Sequence, residues 1–293
     1  MNLLNKIYTI FLSDRAKQRI DQINLYVALL GFFIHLTLIY LSIFGIINLS
    51  ESELFKTPIS AIYTPFSFIL IYEVYLLIYY LPKSFTTYIT KQYEIITLII
   101  IRKLFKDLSA LELSSDWFEI KGDLQFTYDI LASVVLFYLI FQFQKNGIQK
   151  SKQSTENNPK IERFIRRKKI IALVLVPIFL IMALVTLFNW TSNISFASSF
   201  ETINNLFFDE FFTVLILVDV VLLLISFFYT DTFHKVIRNS GFIVSTILIR
   251  MSFGVSGLIS TILIVAAVLF GLTIIVIHNK YEQNTLPNKV YKT

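Results

Sequence analysis

The amino-acid sequence predicts an all-α membrane protein with eight transmembrane helices, six long and two short and polar, in two parallel four-helix repeats. Composition, loop charge and an internal repeat predict this fold. Of the 293 residues, 55% are hydrophobic and 16% are charged, and the mean hydropathy is +0.67. Because about a quarter of the residues of a soluble domain are charged, this composition is typical of a polytopic membrane protein.

Six segments approach or exceed the length of about 20 apolar residues that a helix needs to cross a bilayer. They are continuous apolar runs without the alternation of membrane β-strands, which predicts helices. The first run has no cleavage pattern after it, so we expect it to remain as a span rather than to act as a signal peptide. The six segments are 25–47, 65–81, 126–143, 170–188, 211–229 and 255–277.

Two further segments, 86–106 and 236–253, combine short apolar runs with charged residues. Lys and Arg accumulate in the cytoplasmic loops of membrane proteins. Segment 144–169 has nine basic and two acidic residues, whereas segment 107–125 has five acidic residues and one basic residue. If both short segments cross, every strongly basic loop lies inside and every acidic loop lies outside. We therefore predict eight spans with both termini in the cytoplasm; re-entry of the short segments is the alternative.

Two pairs of similar segments indicate an internal repeat. Residues 72–78 (YEVYLLI) resemble 218–225 (VDVVLLLI), and residues 97–102 (TLIIIR) resemble 246–250 (TILIR). The acids of the first pair are 146 positions apart, and the arginines of the second pair are 148 apart. Halves of four spans each share one orientation in the membrane. The predicted order is an amphipathic cytoplasmic segment, the first repeat, a basic linker, the second repeat and a tail: 1–24, 25–143, 144–169, 170–277 and 278–293.

Ionisable residues inside the predicted spans are the candidate functional residues, because charges are costly in a bilayer. In an antiparallel helix pair, residues equidistant from the turn lie at the same depth. This rule pairs Glu73 with Lys91 in the first repeat, and Asp219 with Lys235 or Arg238 in the second. The full set, interpreted as intramembrane charge pairs or as a polar path, is Glu73, Lys91, Arg102, Asp219, Lys235, Arg238 and Arg250.

Two interpretations of these charges are open. In the first, they line or gate a polar route of a channel-like ion conductor, or they move as a charge sensor. Lys235, Arg238 and Arg250 share a three-residue register similar to that of the basic helix of voltage sensors, although Gly241 and Val244 interrupt it. In the second, the pairs only organise helix packing, with little net stabilisation, in a non-transporting scaffold or assembly subunit.

Other polar residues give weaker signals. His35 is alone in an apolar span, which is more typical of a packed histidine than of a ligand. Asp129 lies near the outer end of its span, and we expect its side chain to reach the surface. His234 and His278 lie at predicted cytoplasmic boundaries, and histidines scattered in this way indicate no metal site. The chain has no cysteine, which excludes disulfides and thiolate chemistry.

The sequence contains no nucleotide-binding loop and no protease or hydrolase motif. We therefore expect neither enzymatic activity nor a cofactor. The basic run RFIRRKK in the linker adjoins a span, where bases contact anionic lipid. The expected partners are thus the lipid bilayer and a second copy of the chain or a membrane-complex subunit, not nucleic acid. The Ile-, Lys-, Asn- and Phe-rich composition indicates a bacterial inner membrane.

Overall fold

The computed structural model describes residues 3–47, 55, 58–110, 121–151, 159–192, 199–229, 232–255 and 257–285. These residues form helices joined by turns, and they contain no β-strand. A short 3₁₀ helix, Pro58–Ile62, precedes α3. The α-helices of the described ranges are α1 Leu3–Phe11, α2 Asp14–Ile43, α3 Tyr63–Tyr80, α4 Phe85–Ala110, α5 Lys121–Ser151, α6 Pro159–Ser192, α7 Ser199–Phe227, α8 Phe233–Ser252 and α9 Leu258–Thr285.

The predicted all-helical membrane class is confirmed at this level. Five helices of the described residues, α2, α3, α5, α7 and α9, are long and apolar enough to cross a membrane. The two short polar segments lie on α4 and α8, and segment 170–188 lies on α6. Whether these three helices cross, and whether the halves are repeats, stays a prediction. Parts of the predicted linker and tail, 152–158 and 286–293, lie outside the described residues.

The described residues of the predicted amphipathic segment 1–24 form α1 and the first turns of α2. The helical structure is interrupted between Phe11 and Asp14. A new helix, α2, starts at Asp14, and the Ser13 hydroxyl caps it by accepting a hydrogen bond from the Ala16 amide at 3.1 Å. The charged run that begins at Asp14 therefore starts the first long helix. The preceding helix α1 exposes Ile7 and Ile10, which leaves it an apolar face without protein cover, as in a helix that lies at a membrane surface.

The two polar helices α4 and α8 occupy the centre of the bundle. Helix α4 packs against α3, α5 and α8, and α8 packs against α7, α9 and α4. Helix α5 also packs along α9, whereas α2 lies on α3 and α6 lies on α7. The large central side chains Tyr88, Tyr93, Phe143 and Phe242 are fully buried. Apolar helices pack on α4 and α8, so their buried polar side chains, among them Gln92, Ser245 and Thr246, face protein rather than hydrocarbon.

The peripheral helices expose large apolar side chains. Several of these side chains are at least 60% exposed: Leu25 of α2, Leu131 and Phe137 of α5, Leu180 of α6 and Ile259 of α9. Soluble monomers rarely expose apolar surface on this scale. The bundle therefore has an apolar exterior that suits a hydrocarbon environment.

Helices α4, α8 and α9 approach one another closely at Gly271. The Tyr93 hydroxyl of α4 donates to the Ser245 hydroxyl of α8 at 2.6 Å, and Ser245 donates to the Ala267 carbonyl of α9 at 2.6 Å. A β-carbon at position 271 would overlap the Tyr93 hydroxyl and lie 3.1 Å from Ser245 Oγ. Glycine is thus required for this three-helix contact.

We expect Gly271→Ala to lower the free energy of unfolding by about 1–3 kcal/mol, because the added methyl group displaces the Tyr93 hydroxyl in a packed interior. Thermal unfolding in detergent measures the change. Gly254→Ala is the matched control, since a β-carbon there meets no atom closer than 3.5 Å. Equal melting temperatures for the two variants would contradict the close approach.

Candidate functional site

Asp219 of α7 and Arg250 of α8 form an ion pair in the interior of the bundle. Arg250 Nη1 lies 2.8 Å from Asp219 Oδ2, and the two side chains are 2% and 0% exposed. Charged side chains are almost never this buried unless they are paired. The pair therefore links α7 to α8 at a position that neither solvent nor lipid reaches.

Three neutral side chains complete this site. Tyr88 of α4 donates to Asp219 Oδ1 at 2.8 Å, and Gln92 accepts from Arg250 Nη2 at 2.7 Å. Gln92 Nε2 and Thr246 Oγ1 each lie 3.5 Å from Asp219 Oδ2. All five residues are buried. We call Tyr88, Gln92, Asp219, Thr246 and Arg250 the central network.

The central network is electrically neutral and joins the two predicted repeats. Helix α4 belongs to the first half of the chain, and α7 and α8 belong to the second. An isolated charge in a low-dielectric interior costs several kcal/mol, and a partner charge with further hydrogen bonds offsets that cost. Each ion is therefore tolerated only while the helix that carries the other stays in place.

The partners of Asp219 differ from those predicted. Asp219 contacts Thr246 and Arg250, whereas Lys235 and Arg238 lie in the first two turns of α8. The prediction centred the turn on Phe227 or between Phe228 and Tyr229, which placed Lys235 or Arg238 opposite Asp219. In the structure, α7 ends at Phe227 and α8 begins at Phe233, so level helices would place residue 241 opposite Asp219. The contact with Thr246 lies five residues further on, about 7.5 Å along the helix. An axial offset between the helices explains the difference.

Lys235 and Arg238 have other environments. Lys235 is exposed in the first turn of α8. Arg238 Nη1 lies 3.1 Å from His278 Nε2 of α9, and its Nε and Nη2 atoms donate to Asn239 Oδ1. These two bases thus lie at the end of the bundle where α8 begins, away from the central network.

Lys91 forms its ion pair within its own helix instead of with Glu73. Its Nζ atom lies 2.6 Å from Glu94 Oε2, and Gln144 of α5 donates to Glu94 Oε1 at 2.6 Å. A partner three residues away on a helix is always within reach, whereas a partner on another helix requires matching rotation. Glu73 is buried on α3. Arg102 lies on α4, but its side chain lies outside the described residues.

Asp129 is buried and paired, contrary to the expectation that it reaches the surface. Lys103 Nζ lies 2.8 Å from Asp129 Oδ2, and Gln125 and Thr261 donate to Oδ1 at 2.8 and 2.6 Å. Only 2% of Asp129 is exposed. This cluster of Lys103, Gln125, Asp129 and Thr261, which we call the outer cluster, joins α4, α5 and α9.

Lys168 is a buried base outside the predicted set. Its ammonium group donates to the Lys83 carbonyl at 2.7 Å and lies 4.6 and 5.3 Å from the ring centroids of Phe85 and Phe164. The rings favour the cation by about 1–2 kcal/mol, which is less than the cost of burying it. Burial therefore lowers the pKa of Lys168 to about 7, although the charge of Asp219 acts in the opposite direction.

The chain matches no family model, no curated protein and no solved structure.

We expect Asp219→Asn and Arg250→Gln each to lower the free energy of unfolding by about 3–5 kcal/mol, because each leaves one buried ion without its partner. The double variant should lose less than the sum of the two single losses. Unfolding in detergent measures all three. The matched control is Lys91→Gln, whose pair is about a third exposed and should contribute about 0–1 kcal/mol. Additive losses in the double variant would show that the two residues do not interact.

Stability should depend on pH through Lys168. The pKa of Lys168 in the folded chain, about 7, lies below the ordinary 10.5. Between these pH values Lys168 is therefore protonated in the unfolded chain and neutral in the folded chain. The free energy of unfolding should therefore rise with pH from about 7 to about 10, and Lys168→Met should lose this rise. Melting temperatures measured across that range test this, with Lys169→Met as the control. An identical pH dependence in wild type and Lys168→Met would contradict it.

Proposed function

We propose that the chain is a non-transporting, non-catalytic scaffold or assembly subunit of a bacterial inner membrane. The burial of the central network carries the proposal. Intramembrane acids that move ions or protons face water-filled cavities, whereas Asp219 is 0% exposed and its carboxylate is surrounded by protein donors. A carboxylate in this environment favours a role in holding α4, α7 and α8 together.

The described charges support a cytoplasmic location for the basic linker. The first turns of α6 carry three exposed bases, Arg163, Arg166 and Arg167. Their exposure lets them contact a negatively charged membrane surface. Each such base contributes about 1 kcal/mol of attraction to anionic lipid. The apolar face of α1 contributes a second membrane contact. We propose that this end of the bundle lies on the cytoplasmic leaflet and binds its anionic lipids, with both termini on the same side.

A channel-like conductor or charge sensor is the second candidate, and the polar clusters along α4 favour it. Lys91 and Glu94 pair toward the start of α4, Gln92 belongs to the central network, and Lys103 belongs to the outer cluster. From Lys91 to Lys103 these groups extend over about 18 Å of helix. A series of polar groups across much of a bilayer is what a charge-moving element requires.

Ion flux from reconstituted liposomes distinguishes the two candidates. For a scaffold, we expect wild type, Asp219→Asn and Arg250→Gln to give the same flux as empty liposomes. The apolar double variant Asp219→Leu/Arg250→Met should regain stability relative to either single variant, because apolar side chains of similar volume often replace a buried ion pair without loss. Lys169→Met, which removes a base of α6 outside these polar clusters, is the matched control. Flux in wild type that Asp219→Asn abolishes or alters would support the conductor and exclude the scaffold.

A further inference from the structure

Two histidines and a glutamate come together where α8 begins and α9 ends. His234 lies in the first turn of α8, and His278 and Glu282 lie one turn apart near the end of α9. One potential ligand atom from each lies within 4.8 Å of the other two. The sequence indicated no metal site because the histidines are 44 positions apart; the packing of α8 on α9 brings them together.

The distances within this group are close to those of a metal site. His278 Nε2 lies 3.3 Å from Glu282 Oε1, and His234 Nε2 lies 4.0 Å from the same oxygen. With bonds of about 2.0–2.1 Å, the ligand atoms of a tetrahedral Zn²⁺ lie about 3.3 Å apart. One ligand pair thus already has the required separation. The exposed fraction of His234, 19%, leaves its side chain room to close the remaining gap.

Arg238 supplies a second observation that points to a cation. Its Nη1 atom lies 3.1 Å from His278 Nε2. The guanidinium group only donates hydrogen bonds, so His278 Nε2 is the unprotonated nitrogen and offers its lone pair to a positively charged group. Arg238 would keep its bonds to Asn239 Oδ1, at 3.2 and 3.0 Å, if Nη1 withdrew. The site thus already binds a positive group that a metal ion can replace.

We propose that His234, His278 and Glu282 bind a divalent transition-metal ion, with Zn²⁺ the best match, in exchange for Nη1 of Arg238. Two imidazoles and one carboxylate suit Zn²⁺, whereas Mg²⁺ and Ca²⁺ prefer sets of oxygen ligands. Water fills the fourth position. Because the ligands come from both helices, the bound ion joins the first turn of α8 to the last turns of α9. This site is independent of the proposed scaffold role, since it shares no residue with the central network.

The test uses the full chain in detergent, purified without a polyhistidine tag and stripped of metal with a chelator. Zn²⁺ is titrated by calorimetry, and Co²⁺ replaces it as a spectroscopic probe. We expect one ion per chain, visible absorption bands typical of four-coordinate Co²⁺, and a higher melting temperature with Zn²⁺. His234→Ala, His278→Ala and Glu282→Gln should each weaken Zn²⁺ binding by at least about tenfold.

Two further variants make the test specific. His35→Gln replaces the remaining histidine of the chain, which lies on α2 beside Thr64, and should bind Zn²⁺ like wild type. Arg238→Gln should bind Zn²⁺ more tightly, because it removes the competing guanidinium group. Circular dichroism confirms that each variant is folded. Absence of binding in wild type, or equal affinity in folded His234→Ala and wild type, would overturn the proposal.

Discussion

The ion pair of Asp219 and Arg250 determines which helices can lie at the centre of this protein. A buried ion needs its counter-ion and enough hydrogen bonds to offset its lost hydration. Here these bonds come from α4, through Tyr88 and Gln92. The pair therefore requires three helices to meet at one point. The more apolar helices α3, α5, α7 and α9 then enclose the polar ones, and large apolar side chains remain on the outside.

The fold class was predictable because hydropathy depends on local composition. Continuous apolar runs identified the helices, and the five that are long and apolar enough to span a membrane coincide with predicted spans. The helix boundaries were less predictable. α2 begins at Asp14, 11 residues before the first predicted span, because the Ser13 cap and the charged first turns extend the helix beyond its apolar run.

The partners of the buried charges were not predictable from distance along the chain. They depend on the rotation of each helix and on the axial offset of its neighbours, which no single segment encodes. One local signal was nevertheless present. Tyr88 and Gln92, Thr246 and Arg250, and Gln125 and Asp129 are each four residues apart, which places both members on one helix face. Pairs of polar residues at this spacing in an apolar helix mark the faces that meet other helices.

The central network also has a consequence for biosynthesis. Gln92 and Asp219 are 127 positions apart, so a ribosome that adds about 5–20 residues per second adds Gln92 roughly 6–25 s before it adds Asp219. In the proposed topology, Tyr88 and Gln92 enter the bilayer during this interval without their acidic partner. α4 must therefore stay with the insertion machinery or with its neighbours α3 and α5 until α7 and α8 arrive. A helix placed at the centre of the finished bundle is thus among the last to reach its final surroundings.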